Sequence, residues 1–334
     1  MSAVVFDLGG THLRCALADD LGAIDRIEKK RIKSFVDGHE PAAVWQQVIS
    51  CIVGFESSVK CDTSSDAPIV LSFPGPIANS RILNAPTLVG EGTSIPDLAS
   101  ELTELTRRPV HLLNDVSAAA WYLSEDIEAS RFMVVTVSSG IGSKIFDRLS
   151  FRKVLDDVPY AGEIGHVVVN SAPDAMMCDC GGRGHLGAIA SGRGIERFAR
   201  QMAEQDAQGF MASASVLKFG ARVNTLTNED HLVPAAALGD PWALDIIRTC
   251  SRPLARILLS VVQAVGLEKV IIIGGFALAL GEIYLDMIRT ELIAACDYQV
   301  MADYVQGLVA MGDVNDEACL KGAAIYARSL GAQR

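Results

Sequence analysis

Three glycine turns in this chain each follow an apolar run, and each could meet an anion. The first reads Asp7-Leu8-Gly9-Gly10-Thr11, the second Ser138-Ser139-Gly140-Ile141-Gly142-Ser143, and the third Ile273-Gly274-Gly275. A strand that ends in glycines lets backbone N–H groups approach phosphate oxygens closely. The first turn adds two side chains: Asp7 can hold a Mg²⁺ ion through water, and Thr11 can donate to a phosphate oxygen. A single Gly-Gly turn is more often the bend of a hairpin. Three of them, one flanked by a carboxylate and a hydroxyl, point toward a nucleotide. There is no Walker A sequence and no kinase-type glycine loop followed by His-Arg-Asp. Further along, Cys178 and Cys180 lie beside several glycines and His185. The other six cysteines are scattered and read mostly as small buried hydrophobes.

The elements that carry these turns alternate between strand and helix. Ala3 to Leu8 and Leu13 to Ala18 read as strands joined by Gly9-Gly10-Thr11. Ala42 to Phe55 has apolar residues at helical spacing. Ile69 to Phe73 is a short strand broken by Pro74-Gly75-Pro76. Val110 to Leu113 is a strand that ends at Asn114-Asp115, and a helix starts at about Ser117. Arg131 to Val137 and Lys269 to Ile273 are strands that run into the second and third glycine turns. Pro241 to Val265 is a long amphipathic helix, and an alanine-rich helix closes the chain from about Asp316. This alternation predicts an α/β protein. The composition shift near residue 116 predicts a first domain of residues 1–115 plus about 311–334, and a second of 116–310.

At 334 residues the chain is long enough for two domains and a large core. Half of it is hydrophobic and 21% is charged, which excludes a disordered or collagenous protein. The net charge of −11 repels phosphate backbones, so no nucleic-acid partner is expected. No apolar run is long enough to span a membrane, and no basic n-region precedes the N-terminal apolar run. A cytoplasmic protein with no membrane partner is the expectation.

In their order along the chain, these motifs resemble the ROK family of sugar kinases, within the actin-like ATPase superfamily. The resemblance runs from Val4 to Ala327. Asp7-Leu8-Gly9-Gly10-Thr11-His12-Leu13-Arg14 resembles the family's first phosphate motif, and Ser138 to Lys144 stands where its second belongs. Pro74-Gly75-Pro76 and Leu83-Asn84-Ala85-Pro86 resemble the sugar-side loops, and Asn114-Asp115 the catalytic segment. Ala161-Gly162-Glu163-Ile164-Gly165-His166 matches the Glu-x-Gly-His signature. Cys178-x-Cys180-Gly-x-x-Gly-His185 falls on the zinc motif, Ile272-Ile273-Gly274-Gly275 on the adenosine-side turn, and Gly322-Ala323-Ala324 on the terminal helix.

The resemblance implies a two-domain actin-like ATPase (ribonuclease H-like) fold with an active-site cleft. The implied activity is phosphoryl transfer from MgATP to a hydroxyl, expected to be a primary one, of a hexose or hexose-like ring. Asp115 would be the general base; an Asn-Asp pair at this point would equally suit a helix cap. Gly75, Asn84, Asn114, Glu163 and His166 would contact the sugar. Asp7, Gly9, Gly10, Thr11, Ser139, Gly140, Gly142, Gly274 and Gly275 would hold the nucleotide. His166, Cys178, Cys180 and His185 would bind a structural zinc, with His185 where the family commonly has a third cysteine. A homodimer is implied as well. The rivals are a ROK-type repressor, for which no helix-turn-helix precedes the first strand, and a catalytically silent sugar-binding protein.

Several departures bear on the substrate. Thr87 stands in place of a common Asn, Ser117 in place of another, and Gly187 in place of the glutamate that contacts the sugar. Loss of that carboxylate suits an amino sugar or a C7 cyclitol of secondary metabolism better than glucose. Lys144 either pairs with a phosphate or lies in solvent.

Overall fold

The computed structural model describes residues 2–78, 80–90, 92–150, 153–156, 158–296 and 299–332; the side chains of 36, 87, 299–302 and 332 fall outside the description, Thr87 among them. The chain divides into two compact units. One comprises Met1–Glu128, Val154–Ala161 and Val314–Arg334; the other comprises Ala129–Lys153 and Gly162–Asp313.

The first unit is built on strands β1 (Ala3–Leu8), β2 (His12–Ala18), β3 (Ile24–Arg31), β4 (Ile69–Phe73) and β7 (Val110–Asn114), in the order β3-β2-β1-β4-β7. A two-stranded hairpin, β5 (Ile77–Ala78) with β6 (Arg81–Ile82), stands apart from that sheet. β1 runs antiparallel to β2 and parallel to β4, which is itself parallel to β7. All six residues of β1 are buried, as a central strand covered on both faces requires. Val4, Phe6 and Leu8 share a core with Trp45, Val48, Ile52 and Phe55 of the helix Pro41–Ser58. The helices Asp115–Leu123 and Ala318–Ala332 pack closely on each other, and the second of them also covers β1 and β4. They approach so nearly that a Cβ on Gly322 would overlap the Ala118 carbonyl, which explains the small residues of both helices. One fully buried ion pair pins this unit: Arg108 Nε donates to Glu56 Oε1 at 2.7 Å, while the other guanidinium nitrogens reach Thr63 Oγ1 and the Ser64 and Ala67 carbonyls.

The second unit repeats the plan. Its strands are β8 (Arg131–Val137), β9 (Ile141–Asp147), β10 (Lys153–Val154), β11 (Lys269–Ile273) and β12 (Val309–Met311), in the order β10-β9-β8-β11-β12. β8 is antiparallel to β9 and parallel to β11, which is parallel to β12. The helix Pro241–Val265 supplies the main apolar stripe and continues through Pro253. Two sheets of like strand order, with helices packed on them, make this the two-domain actin-like ATPase fold.

The boundary expected at 115/116 does not hold. The helix Asp115–Leu123 belongs with the first unit because its partner is the C-terminal helix; Arg328 Nη2 also donates to Glu125 at 2.8 Å. The segment Val154–Ala161 joins the first unit as well, and the return of the chain falls at Val314 rather than 311. Of the scattered cysteines, Cys15 and Cys250 are buried, Cys51, Cys296 and Cys319 are half-buried, and Cys61 is exposed. Among the described residues, no helix is long and apolar enough to cross a membrane.

Candidate functional site

In the first unit the site residues gather at the carboxyl ends of three neighbouring parallel strands, β1, β4 and β7, where α/β sheets commonly bind ligands. The turn after β1 is closed by the Gly9 N–H, which donates to the His12 carbonyl at 2.8 Å. A Cβ on Gly10 would meet nothing within 4 Å, and the residue is not left-handed. The backbone there does not demand glycine; the missing side chain leaves the amides open to a ligand. Thr11 Oγ1 lies 2.9 Å from His12 Nδ1.

Asp7 is buried on the face opposite Phe6 and Leu8. Arg14 Nη1 donates to its Oδ2 at 3.2 Å, and Arg14 Nη2 donates to Asp316 at 2.9 Å. Burial pushes the Asp7 carboxyl above its ordinary value, against the pull of the Ser72 hydroxyl and Arg14. Arg14 received no role from the sequence. The signal was available: a tight turn after Leu8 sets Asp7 opposite Arg14 across the hairpin.

Asn114 caps the helix that Asp115 begins, with its Oδ1 accepting from the Val116 N–H at 3.0 Å. Both amide hydrogens of Asn114 are spent, one on the Gly75 carbonyl and one on Asp115 Oδ1, each at 2.9 Å. Asn114 therefore fixes the sugar-side loop and the carboxylate together; what it has left for a sugar is a lone pair on its oxygen. A Cβ on Gly75 would collide with the Asn84 carbonyl, which brings Asn84 to the same point. Asp115 Oδ1 also accepts from the Val116 N–H at 2.9 Å. Its Oδ2 takes no hydrogen bond among the described residues. Burial, with the negative charge of Asp7 adding, pushes the Asp115 carboxyl up to about 6. Ser117, fully buried on the same helix, donates to Asp156 Oδ2 at 2.8 Å. Cys319 Sγ lies 3.5 Å from the Asp115 carbonyl, a neighbour that nothing in the sequence pointed to.

In the second unit the other two glycine turns meet at the carboxyl ends of the parallel pair β8 and β11. The Ser138 N–H donates to the Gly140 carbonyl at 3.0 Å, and a Cβ on Gly140 would again meet open space. Gly274 has a φ of +100° and lies against the Val137 carbonyl, where a Cβ would fall 2.6 Å away; only glycine fits. Gly142 is the second residue of β9, and Gly275 begins the helix Gly275–Leu280. Lys144 is buried, so the solvent reading fails; its Cδ would lie 3.3 Å from a Cβ on Gly162.

Glu163 precedes, and His166 ends, a short 3₁₀ turn packed on β9 so closely that a Cβ on Gly165 would strike the Ile141 carbonyl. His166 Nε2 is 3.9 Å from Glu163 Oε2. His166, Cys178, Cys180 and His185 offer one donor atom each, all within 4.8 Å of one another. Tetrahedral zinc with two sulfurs and two nitrogens needs donor separations of roughly 3.3–3.8 Å, so the set fits with small side-chain adjustments. Burial pushes the Cys178 thiol up, and a divalent cation would reverse that preference. Gly187 follows at once, in the helix Leu186–Ala190: a Cβ there would lie 3.2 Å from the Gly165 carbonyl, so the helix rests on the Glu163–His166 turn.

Three comparisons bear on the arrangement. The ROK family model matches residues 3–329. A C(7)-cyclitol 7-kinase from Streptomyces hygroscopicus subsp. limoneus is 37% identical over 339 residues, covering 99% of this chain and 95% of that protein. An N-acetylmannosamine kinase from Vibrio vulnificus (strain CMCP6) is 31% identical over 231 residues, 68% of each chain. Among solved structures, a ROK hexokinase from Thermus thermophilus superposes with a TM-score of 0.72, covering 100% of this chain and 99% of that one; at 23% identity this likeness speaks for the fold alone.

Proposed function

The chain belongs to the ROK family, and from that premise we propose that it is an ATP-dependent kinase for a hydroxyl of a cyclitol or hexose-like ring, with a C7 cyclitol as the preferred class. The observation that carries the reading is Asp115. One carboxylate oxygen is fixed by two N–H donors, the other is unengaged, and the pKa of about 6 keeps the group ionised yet basic at neutral pH. Oδ2 accepts the proton of the attacking hydroxyl as its oxygen bonds to the γ-phosphorus and the bond to the β-phosphate oxygen breaks. Asn114 holds that oxygen's partner still and, through Gly75, the loop that faces the acceptor. Asp7 would hold Mg²⁺, which when bound would supply charge neutralisation on the phosphates. The Gly9–Gly10 turn, which leaves open space at Gly10, the Thr11 hydroxyl, and the turns at Ser139–Gly142 and Gly274–Gly275 are the nucleotide contacts. Glu163 and His166, with Asn84, select the ring hydroxyls, because an unmatched buried polar group is costly.

A structural zinc at His166, Cys178, Cys180 and His185 fits the donor chemistry and would orient His166. A C7 cyclitol is favoured over an N-acetylated amino sugar by the higher identity to the cyclitol kinase, 37% against 31% for the N-acetylmannosamine kinase. Gly187, which lacks the sugar-contacting carboxylate, argues against glucose and suits either of the two. The intact geometry around Asp115 argues against a silent binding protein. Family resemblance further implies a homodimer and a cytoplasmic location; light scattering on the purified protein tests the former. The test of function is ADP release from MgATP with glucose, N-acetylmannosamine, glucosamine and valiolone-type cyclitols. Turnover confined to the cyclitols is expected, whereas strong turnover on glucose would overturn the substrate class.

A further inference from the structure

Arg193 is the second residue of the helix Gly192–Gln205, and it is tied at two points. Its Nε donates to the Ser139 carbonyl at 2.9 Å, and its Nη1 lies 3.1 Å from Asp179 Oδ2. Asp179 sits between Cys178 and Cys180, and its other oxygen accepts from Arg197 Nη1 at 2.7 Å. One guanidinium thus spans from the loop of the Cys/His cluster to the turn at the end of β8. An exposed ion pair adds little to stability, so the fold alone gives little reason to hold a guanidinium on a loop carbonyl. Of its five N–H donors, two are used in these contacts, and the side chain is 59% exposed.

Its surroundings have the character of an anion site. The Gly192 N–H donates to the Ser138 carbonyl at 2.7 Å, which brings the start of a 14-residue helix to the same turn. A helix start carries partial positive charge. Gly274 closes on the Val137 carbonyl, and a Cβ on Gly275 would lie 4.0 Å from Ser138 Oγ. Gly140 leaves open space on the outer side of the turn.

We infer that Arg193 is a phosphate-binding residue of the nucleotide site: the Ser139 carbonyl and Asp179 fix the plane of its guanidinium, and the remaining N–H groups take oxygens of the ATP phosphate chain. What occupies the site rests on the kinase reading above; the residue and its tethering do not follow from that reading. A planar fork with several fixed donors suits this task, whereas a lysine offers a point charge and cannot hold the carbonyl, the carboxylate and the phosphates in one plane.

The test is calorimetric binding of MgATP and of adenosine to the full chain. Charge-assisted hydrogen bonds predict that Arg193→Met weakens MgATP binding by roughly 10- to 100-fold while adenosine, which lacks phosphates, changes by less than about twofold. Arg193→Lys should fall between the two. Unchanged MgATP affinity in Arg193→Met overturns the inference, and so does an equal loss for adenosine, which would make the residue merely structural. Failure of the wild-type chain to bind MgATP refutes the kinase reading instead, and with it the ligand assigned to Arg193. Tight wild-type binding that survives Arg193→Met refutes this inference alone.

Discussion

Replacing Asp115 by Asn should abolish turnover and at the same time stabilise the protein. The Asp115 carboxyl stands at about 6 against an ordinary 3.8, and burial is the main cause. A group whose folded pKa is raised binds its proton more tightly when folded, so stability falls as pH rises between the two values. The shift amounts to about 3 kcal/mol of destabilisation at pH 7.5, shrinking to about 1 kcal/mol at pH 4.5. An asparagine carries no such charge. Its side-chain oxygen can keep the Val116 N–H bond now made at 2.9 Å, and the Asn114 amide can still donate to it. Asp115→Asn should therefore be more stable than wild type by about 3 kcal/mol at pH 7.5 and about 1 kcal/mol at pH 4.5. Urea unfolding followed by tryptophan fluorescence reads the first unit well, because Trp45 and Trp121 both lie in it and Trp121 is on the same helix. In the same variant kcat should drop by about 10²–10⁴ with acceptor affinity nearly kept, as expected for loss of a general base. A stability gain that does not shrink toward pH 4.5, or no gain at all, would refute the desolvation argument; normal turnover would refute the base assignment.

The same carboxyl sets the pH profile: it must be ionised to accept a proton, so kcat/KM should fall about tenfold per unit below roughly pH 6. A flat profile down to pH 5 would speak against Asp115. Gly162 has φ +80° and sits against the Ser143 carbonyl, so Gly162→Ala should cost several kcal/mol, on the order of 2–4, and displace Glu163; chemical denaturation and acceptor titration check both effects. Glu56→Gln leaves the buried Arg108 charge without its carboxylate and should cost about 3–5 kcal/mol in denaturant unfolding. Metal analysis of the purified chain should give about one zinc per chain, lost in Cys178→Ser together with protection of Cys180 from alkylating reagents.

Much of the site was legible because its chemistry sits where strands stop. Asp7, Asn114 and the glycine turns are all at strand ends, and strand ends are marked by glycine and by the loss of apolar runs. The duplicated strand order of the two sheets left no repeat in the sequence, because such a topology needs only buried apolar strands, and those diverge freely. The domain boundary was misplaced because the helix Asp115–Leu123 takes its partner from Ala318–Ala332, about two hundred residues later; Gly322 against Ala118 is a contact that no local pattern announces. Lys144 was hard to place for a related reason. Its neighbours in β9 do not alternate cleanly, and both Ser143 and Lys144 are buried. The tether of Arg193 to Ser139 and Asp179 joins positions 14 and 54 residues apart, which spacing alone does not link.

The most direct test of the central claim is to follow the phosphate itself. The chain is incubated with ATP labelled at the γ-phosphorus and a valiolone-type C7 cyclitol, and the products are separated by charge. The account predicts one labelled cyclitol monophosphate formed for each ADP released, with no labelled product from Asp115→Asn. Label appearing only as inorganic phosphate, or remaining in ATP while the cyclitol is bound, would contradict it.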